Sequence, residues 1–208
     1  MKFDSARIFA ERWFLTMKKV LQFSGLIAAV IAIASFVLMM TCPSVNRPVY
    51  DTVLTGKLIT TIVIPGTSGI FGGNWPETGS AAADAVLKYL GATINATPTA
   101  IIAFVLAIVG VAILVLGAIL PILKIKALNK FAGLLNLIAV LALVAAGILI
   151  FVQVPAFLGA QASEGSEVNT AGWNLGAGWI IAGICAIVAG VIAIAPAFAD
   201  FLAKGKKK

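Results

Sequence analysis

The stretch CPSVNRPVYDTVLTGKLITTIVIPGTSGIFGGNWPETGSAAADAVLKYLGATINAT, residues 42–97, is the one long polar interruption in a chain of 208 residues that is 61% hydrophobic. Apolar runs flank it on both sides, each long enough to cross a hydrocarbon core of about 30 Å. A backbone crossing lipid must satisfy its own hydrogen bonds, so such runs are helices and the stretch between them stands in water on one side of a membrane. The chain therefore reads as an all-α integral membrane protein: a four-helix transmembrane bundle with a small extracytoplasmic cap made of a short β-hairpin plus a helix.

Composition supports that class. Charged residues make up 11% of the chain and mean hydropathy is +1.08, values outside the soluble range. A net charge of +7 would point to nucleic acid in a soluble protein, but here the basic residues border the apolar runs, which membrane topology explains better than nucleic-acid binding, and no nucleic-acid partner is expected. Histidine is absent, which removes bis-His haem, His-ligated zinc and a His general base. Two cysteines, Cys42 and Cys185, share no C-x-x-C spacing. No cofactor and no metal is expected.

Taken in order, residues 1–19 read as a cytoplasmic interfacial amphipathic helix capped by Asp4. Ala6, Phe9, Ala10, Trp13, Phe14 and Met17 fall on one face, and Trp13 and Phe14 are interface anchors. Residues 20–41 form the first span, read as a retained signal anchor because its apolar core exceeds that of a secretory signal. Within 42–97, the β-branched and aromatic residues from Val49 to Ile64 predict two strands joined by a turn at Gly56 and Lys57. The glycine-rich stretch 65–79 predicts a loop whose large side chains, Ile70, Phe71 and Trp75, are outer-loop contact residues. Ser80 is expected to cap a helix with Ala83, Val86, Leu87 and Leu90 on one face, ended by Gly91.

The second span is 98–123, with Pro98 in its first turn. A cytoplasmic link, 124–130, makes it an antiparallel hairpin with the third span, 131–154. Residues 155–171 read as a short extracytoplasmic loop, 172–198 as the fourth span, and 199–208 as a basic cytoplasmic tail. The N-terminal segment holds five basic residues (Lys2, Arg7, Arg12, Lys18, Lys19), the link three and the tail four; the other two loops hold only Arg47, Lys57 and Lys88. By the positive-inside rule both termini are cytoplasmic, in a plasma or cytoplasmic membrane.

No Asp, Glu, Lys or Arg falls within the four spans, which disfavours proton relays and ion-coupled transport. Asp51, Glu77, Asp84, Glu164 and Glu167 have no ligand spacing and read as solvated charges. No catalytic residue is identified. The pattern above background is small-residue spacing in the fourth span: Gly178, Ala182, Ala186 and Gly190 recur every four residues, extended outward by Gly172 and Gly176. Such a stripe admits a close helix, from this chain or another. Trp173 and Trp179 are placed as anchors at the outer interface.

Four spans with both ends inside, a long first outer loop of strands and helix, and a short second loop make a layout that resembles the claudin and peripheral-myelin-protein group. The resemblance is one of layout. That group's first loop carries a tryptophan, then Gly-Leu-Trp, then two cysteines; here the loop holds Trp75 in Gly-Gly-Asn-Trp and the single Cys42, so the disulfide has no counterpart and the chain is not assigned to the group. The expected function is a non-catalytic assembly, scaffold or accessory subunit. It would contact membrane lipids and other membrane-protein subunits or itself through the outer loop and small-residue faces. The alternative is a pore or transport component formed by oligomerisation.

Overall fold

Helix α1 runs without interruption from Phe3 to Thr41, and strands β1 (Pro43–Tyr50) and β2 (Leu58–Pro65) follow. Next come the short helices α2 (Gly66–Phe71) and α3 (Ala81–Tyr89), then α4 (Pro98–Leu123), α5 (Ala132–Phe151) and α6 (Gln153–Gln161). A two-residue strand, β3 (Asn174–Leu175), leads into α7 (Ala177–Gly205). The computed structural model describes residues 3–50, 57–90, 93–123, 131–162 and 171–205. The turn at Gly56, the helix end at Gly91, the link 124–130, Asp51, Glu164, Glu167 and the last three lysines lie outside those residues. So do the side chains of Asp4, Trp13 and Phe14.

Four helices, α1, α4, α5 and α7, are long and apolar enough to cross a membrane. They form a ring in which each packs on two neighbours: α1 on α4 and α7, α5 on α4 and α7. Their interior is sorted by size. Ala28 and Ala32 of α1, Ala103 and Ala107 of α4, Ala139 and Ala146 of α5, and Ala182, Ala186, Ala189 and Ala193 of α7 have no exposed surface. Larger residues such as Val30, Val37, Ile102, Val105, Leu141, Ile184 and Val191 face outward. Lipid tails are as apolar as leucine, so burying large side chains gains little; small residues let backbones approach and gain dispersion contacts instead. Where a larger knob intrudes, a glycine receives it: a Cβ at Gly110 would lie 2.6 Å from Leu143, and one at Gly147 2.6 Å from Ile187.

A three-stranded antiparallel sheet in the order β2-β1-β3 sits at the end of the bundle where α1 stops and α4 and α7 start. The expected hairpin is thus widened by a strand from just before the fourth span. Val45 of β1 pairs with Ile64 of β2 on one side and with Leu175 of β3 on the other. Pro48 cannot donate to a ladder, and the β1–β3 pairing covers only Val45 and Asn46, so Pro48 has an open side for its missing N–H. On β3's strand the chain turns away at Gly172, whose φ of +78° suits a residue without Cβ.

Four local departures from the sequence reading have specific causes. Residues 66–71 are helical, not loop, because Gly66 and Gly69 lack the side chains that would hold α2 off its neighbours: a Cβ on Gly69 would lie 2.8 Å from Ser44 Oγ. The third span stops at Phe151 rather than 154, since Pro155 has no N–H for the Phe151 carbonyl; the chain bends at Val152 and restarts as α6, with Pro155 in its first turn. Residues up to Gln161 in the expected loop 155–171 are therefore helical. The fourth helix begins at Ala177, not 172, because residues 174–175 are drawn into β3. Ser80 precedes α3 but makes no side-chain cap; Thr78 Oγ1 accepts from the Ser80 N–H at 3.2 Å and also bonds Asp84.

Candidate contact surface at the sheet end

The sheet is fastened to the bundle through chain ends that would otherwise leave buried polar groups unpaired. The Met39 carbonyl, in the last turn of α1, would ordinarily accept from residue 43, but residue 43 is proline. The indole N–H of Trp179 donates to it instead, at 3.1 Å. Ser35 Oγ donates to the Ala182 carbonyl at 2.7 Å, joining α1 to α7 one turn further in. Gly66 N–H donates to the Cys42 carbonyl at 3.1 Å, and Gly176 N–H to the Ser44 carbonyl at 2.9 Å. Both glycines are needed where they stand, because a Cβ on Gly66 would run into the Met39 carbonyl and one on Gly176 into the Pro43 carbonyl.

Between the sheet and α3 and α6 lies a separate apolar core of Val45, Val49, Ile62, Ile64, Leu87 and Phe157. Trp75 meets Phe157 edge-on at 6.4 Å between ring centroids, and Trp173 packs on Phe157 at 6.2 Å with its ring tilted. The Arg47 guanidinium lies 5.6 Å above the Trp173 ring, a cation–π contact. Gln161, buried at the end of α6, accepts from Asn95 N–H at 2.8 Å and donates to the Asn95 carbonyl at 2.9 Å, while Asn95 Nδ2 donates to the Ala160 carbonyl. This pairing ties the approach to α4 onto α6. Neither residue carries a motif, and only their proximity in space reveals them.

These contacts redistribute the residues singled out in the sequence. Trp173 and Trp179 are buried in protein rather than standing at a lipid interface. Ile70 is fully buried between α2 and the helices, and Trp75 is half-buried against Phe157; of the three outer-loop residues only Phe71 is exposed, its ring set edge-on to Phe104. The small-residue stripe is used inside the chain. Gly178 takes the Cys42 side chain, Ala182 and Ala186 are buried, and a Cβ on Gly190 would lie 2.8 Å from Val144 of α5. Gly172 and Gly176 lie before the helix, and Gly176 meets β1 rather than another helix. Both cysteines are free and half-buried.

Among the described residues, the outer edge of the sheet carries no further strand. Strand β2, Leu-Ile-Thr-Thr-Ile-Val-Ile-Pro, is an edge strand with no charged residue. Its inward residues Ile62 and Ile64 are buried, whereas Leu58, Ile59 and Val63 are 50%, 47% and 39% exposed, and Tyr50, paired with Leu58, is 52% exposed. Among the described residues, no group of three or more His, Cys, Asp or Glu side chains could hold a metal ion. No protein-family model and no curated protein matches the chain.

Proposed function

We propose that the protein is a non-catalytic four-span membrane subunit that docks on a partner through the outer edge of its sheet. In this reading the sheet end is an extracytoplasmic cap and both termini are cytoplasmic, in keeping with twelve basic residues in the terminal segments and the 124–130 link of the sequence against three in the other loops. The observation that carries the proposal is the edge of β2, which no strand among the described residues covers. Soluble sheets guard their edges with charges, prolines or a covering element. Here eight residues of edge carry no charge and expose Leu58, Ile59 and Val63, the arrangement that accepts another strand by main-chain pairing with apolar side chains alongside. The rigid attachment of β1 and β2 to α1 and α7 would hold that edge in a fixed orientation to the membrane. Helix faces contribute less than the sequence pattern indicated, since the glycines and alanines of α7 are occupied within the chain. The same close packing gives the pore reading no support from a single copy.

The test is purification of the full chain from its own membrane in mild detergent, comparing wild type with Ile59→Lys plus Val63→Lys. Both side chains point outward, so the variant should keep its unfolding midpoint and lose its co-purifying subunit, whether that is another chain or a second copy. Equal association of the two proteins, or a wild type that is monomeric and alone, would refute the edge as a docking element.

A further inference from the structure

Where the bundle meets the sheet, β1, α2, α6 and the start of α4 converge on Gly69. The Gly69 carbonyl accepts from the Thr97 N–H at 3.1 Å. The point at which a Cβ on Gly69 would stand lies 2.8 Å from Ser44 Oγ and 3.8 Å from Gln153 Nε2. Gln153 in turn accepts at Oε1 from Thr99 Oγ1, at 3.1 Å. Ser44, Thr97 and Gln153 have no exposed surface.

Two polar atoms of this cluster have no hydrogen-bond partner among the described residues: Gln153 Nε2 and Thr97 Oγ1. A buried polar group left unpaired forfeits its hydration with nothing in return, and native interiors seldom tolerate one. Turning the Gln153 amide over brings no relief. The Thr99 hydroxyl would then accept from the amide instead of donating to it, and an equally unpaired oxygen would stand where the nitrogen did. The cluster therefore calls for a partner able both to donate and to accept.

We propose that this joint holds bound water, hydrogen-bonded to Gln153 Nε2 and Thr97 Oγ1, with Ser44 Oγ as a further acceptor. Ser44 has already given its proton to the Ile64 carbonyl at 3.2 Å, so its lone pairs remain for a donor. Charged ligands do not suit the cluster. Among the described residues no charged side chain is buried, and taking an ion out of water without a counter-charge is costly. A cation would also face the N–H of the amide. Water is the smallest neutral molecule that both donates and accepts, and buried water typically makes about three hydrogen bonds to groups that lack other partners. Held here, it completes the seam between the spanning helices and the sheet, alongside the bonds of Trp179 and Gln161.

The experiment is rotating-frame NOE spectroscopy between water and protein on the isotope-labelled wild-type full chain in detergent micelles. Long-lived bound water should give dipolar cross-peaks to the Gln153 side-chain amide protons, opposite in sign to peaks from proton exchange. Thr97→Val supplies an energetic sign. Valine has nearly the shape of threonine, and Thr97 Oγ1 makes no bond to the described residues that the change would remove. If the hydroxyl is bonded to water, its loss should lower the unfolding midpoint by about 2–4 °C, the equivalent of one net hydrogen bond in a chain of this size. If the hydroxyl has no partner, the apolar side chain should raise the midpoint. A resolved Gln153 amide without dipolar water peaks would overturn the proposal, and so would a Thr97→Val midpoint equal to or above that of wild type. The spectrum is read on wild type, so it decides the matter even where the variant fails to fold.

Discussion

Replacing Trp179 by Phe tests the joint on which the sheet's attachment depends. The Met39 carbonyl has no backbone partner available: the residue four ahead is Pro43, and the Cys42 N–H is already given to the Leu38 carbonyl at 3.0 Å. Trp179 is fully buried, so no water replaces the indole N–H when it is removed. An unpaired buried acceptor costs about 1–3 kcal/mol, and the smaller ring leaves a void that adds to it. The expected loss is therefore about 2–3 kcal/mol, or roughly 4–12 °C in midpoint for a chain of this size. Trp179→Ala, which also removes most of the ring's packing, should cost more, about 3–5 kcal/mol from truncation of the ring. The assay is thermal unfolding in one detergent, followed by circular dichroism, with hydrogen exchange at the sheet end as a second readout. The sheet should exchange faster in the Phe variant while the middle of α5 is unaffected. A Trp179→Phe protein that unfolds within about 1 °C of wild type would show that the carbonyl finds another donor and that the indole bond does not hold this joint.

Three other substitutions or probes read different parts of the molecule. Ala186→Leu adds bulk at a position with no exposed surface; it should lower stability by about 1–3 kcal/mol through overpacking without changing the association state, and a change in association with normal stability would mean the face meets another subunit. Gln161→Leu removes both bonds to the Asn95 backbone, so the Asn95 amide should exchange with solvent much faster and stability should fall by about 2 kcal/mol; protection at Asn95 equal to wild type would refute the clamp. A membrane-impermeant maleimide on intact cells should label Cys42, slowly because its sulfur lies against Gly178, and should reach Cys185 only after denaturation. Seven residues of helix, about 10 Å of rise, separate Cys185 from Gly178, beyond the Cα separation of about 7 Å that a disulfide can bridge, so non-reducing gels should show no internal crosslink.

How much was legible in the sequence follows from how local each signal is. Four apolar runs, each uninterrupted by charge, identify spanning helices because the cost of a backbone in lipid is met within the run itself. The β-branched residues of 58–64 likewise mark a strand by their own preference for a pleated, half-buried surface. The stripe from Gly178 to Gly190 announced close packing, but not against what; that depended on α1 and α5 arriving on either side of α7. Gly110, Gly147 and Gly183 serve the same purpose without any regular spacing, and only the knobs seated against them, such as Leu143 and Ile187, reveal it.

The third strand and its attachments at the sheet end were decided by the tertiary structure alone. A two-residue strand at Asn174–Leu175 has no periodicity to detect, and it exists because β1, some 130 residues earlier, presents its free edge there. That pairing shortens the fourth helix and draws Trp173 inward over Arg47, while the start of the helix at Ala177 sets Trp179 beneath the Met39 carbonyl. Taken singly, both tryptophans have the composition of interface anchors; a tryptophan beside an apolar run serves equally well as a lipid anchor or as the donor to a stranded carbonyl. Which role it takes is settled by the partner that folding brings to it, here a carbonyl whose own helix runs into proline.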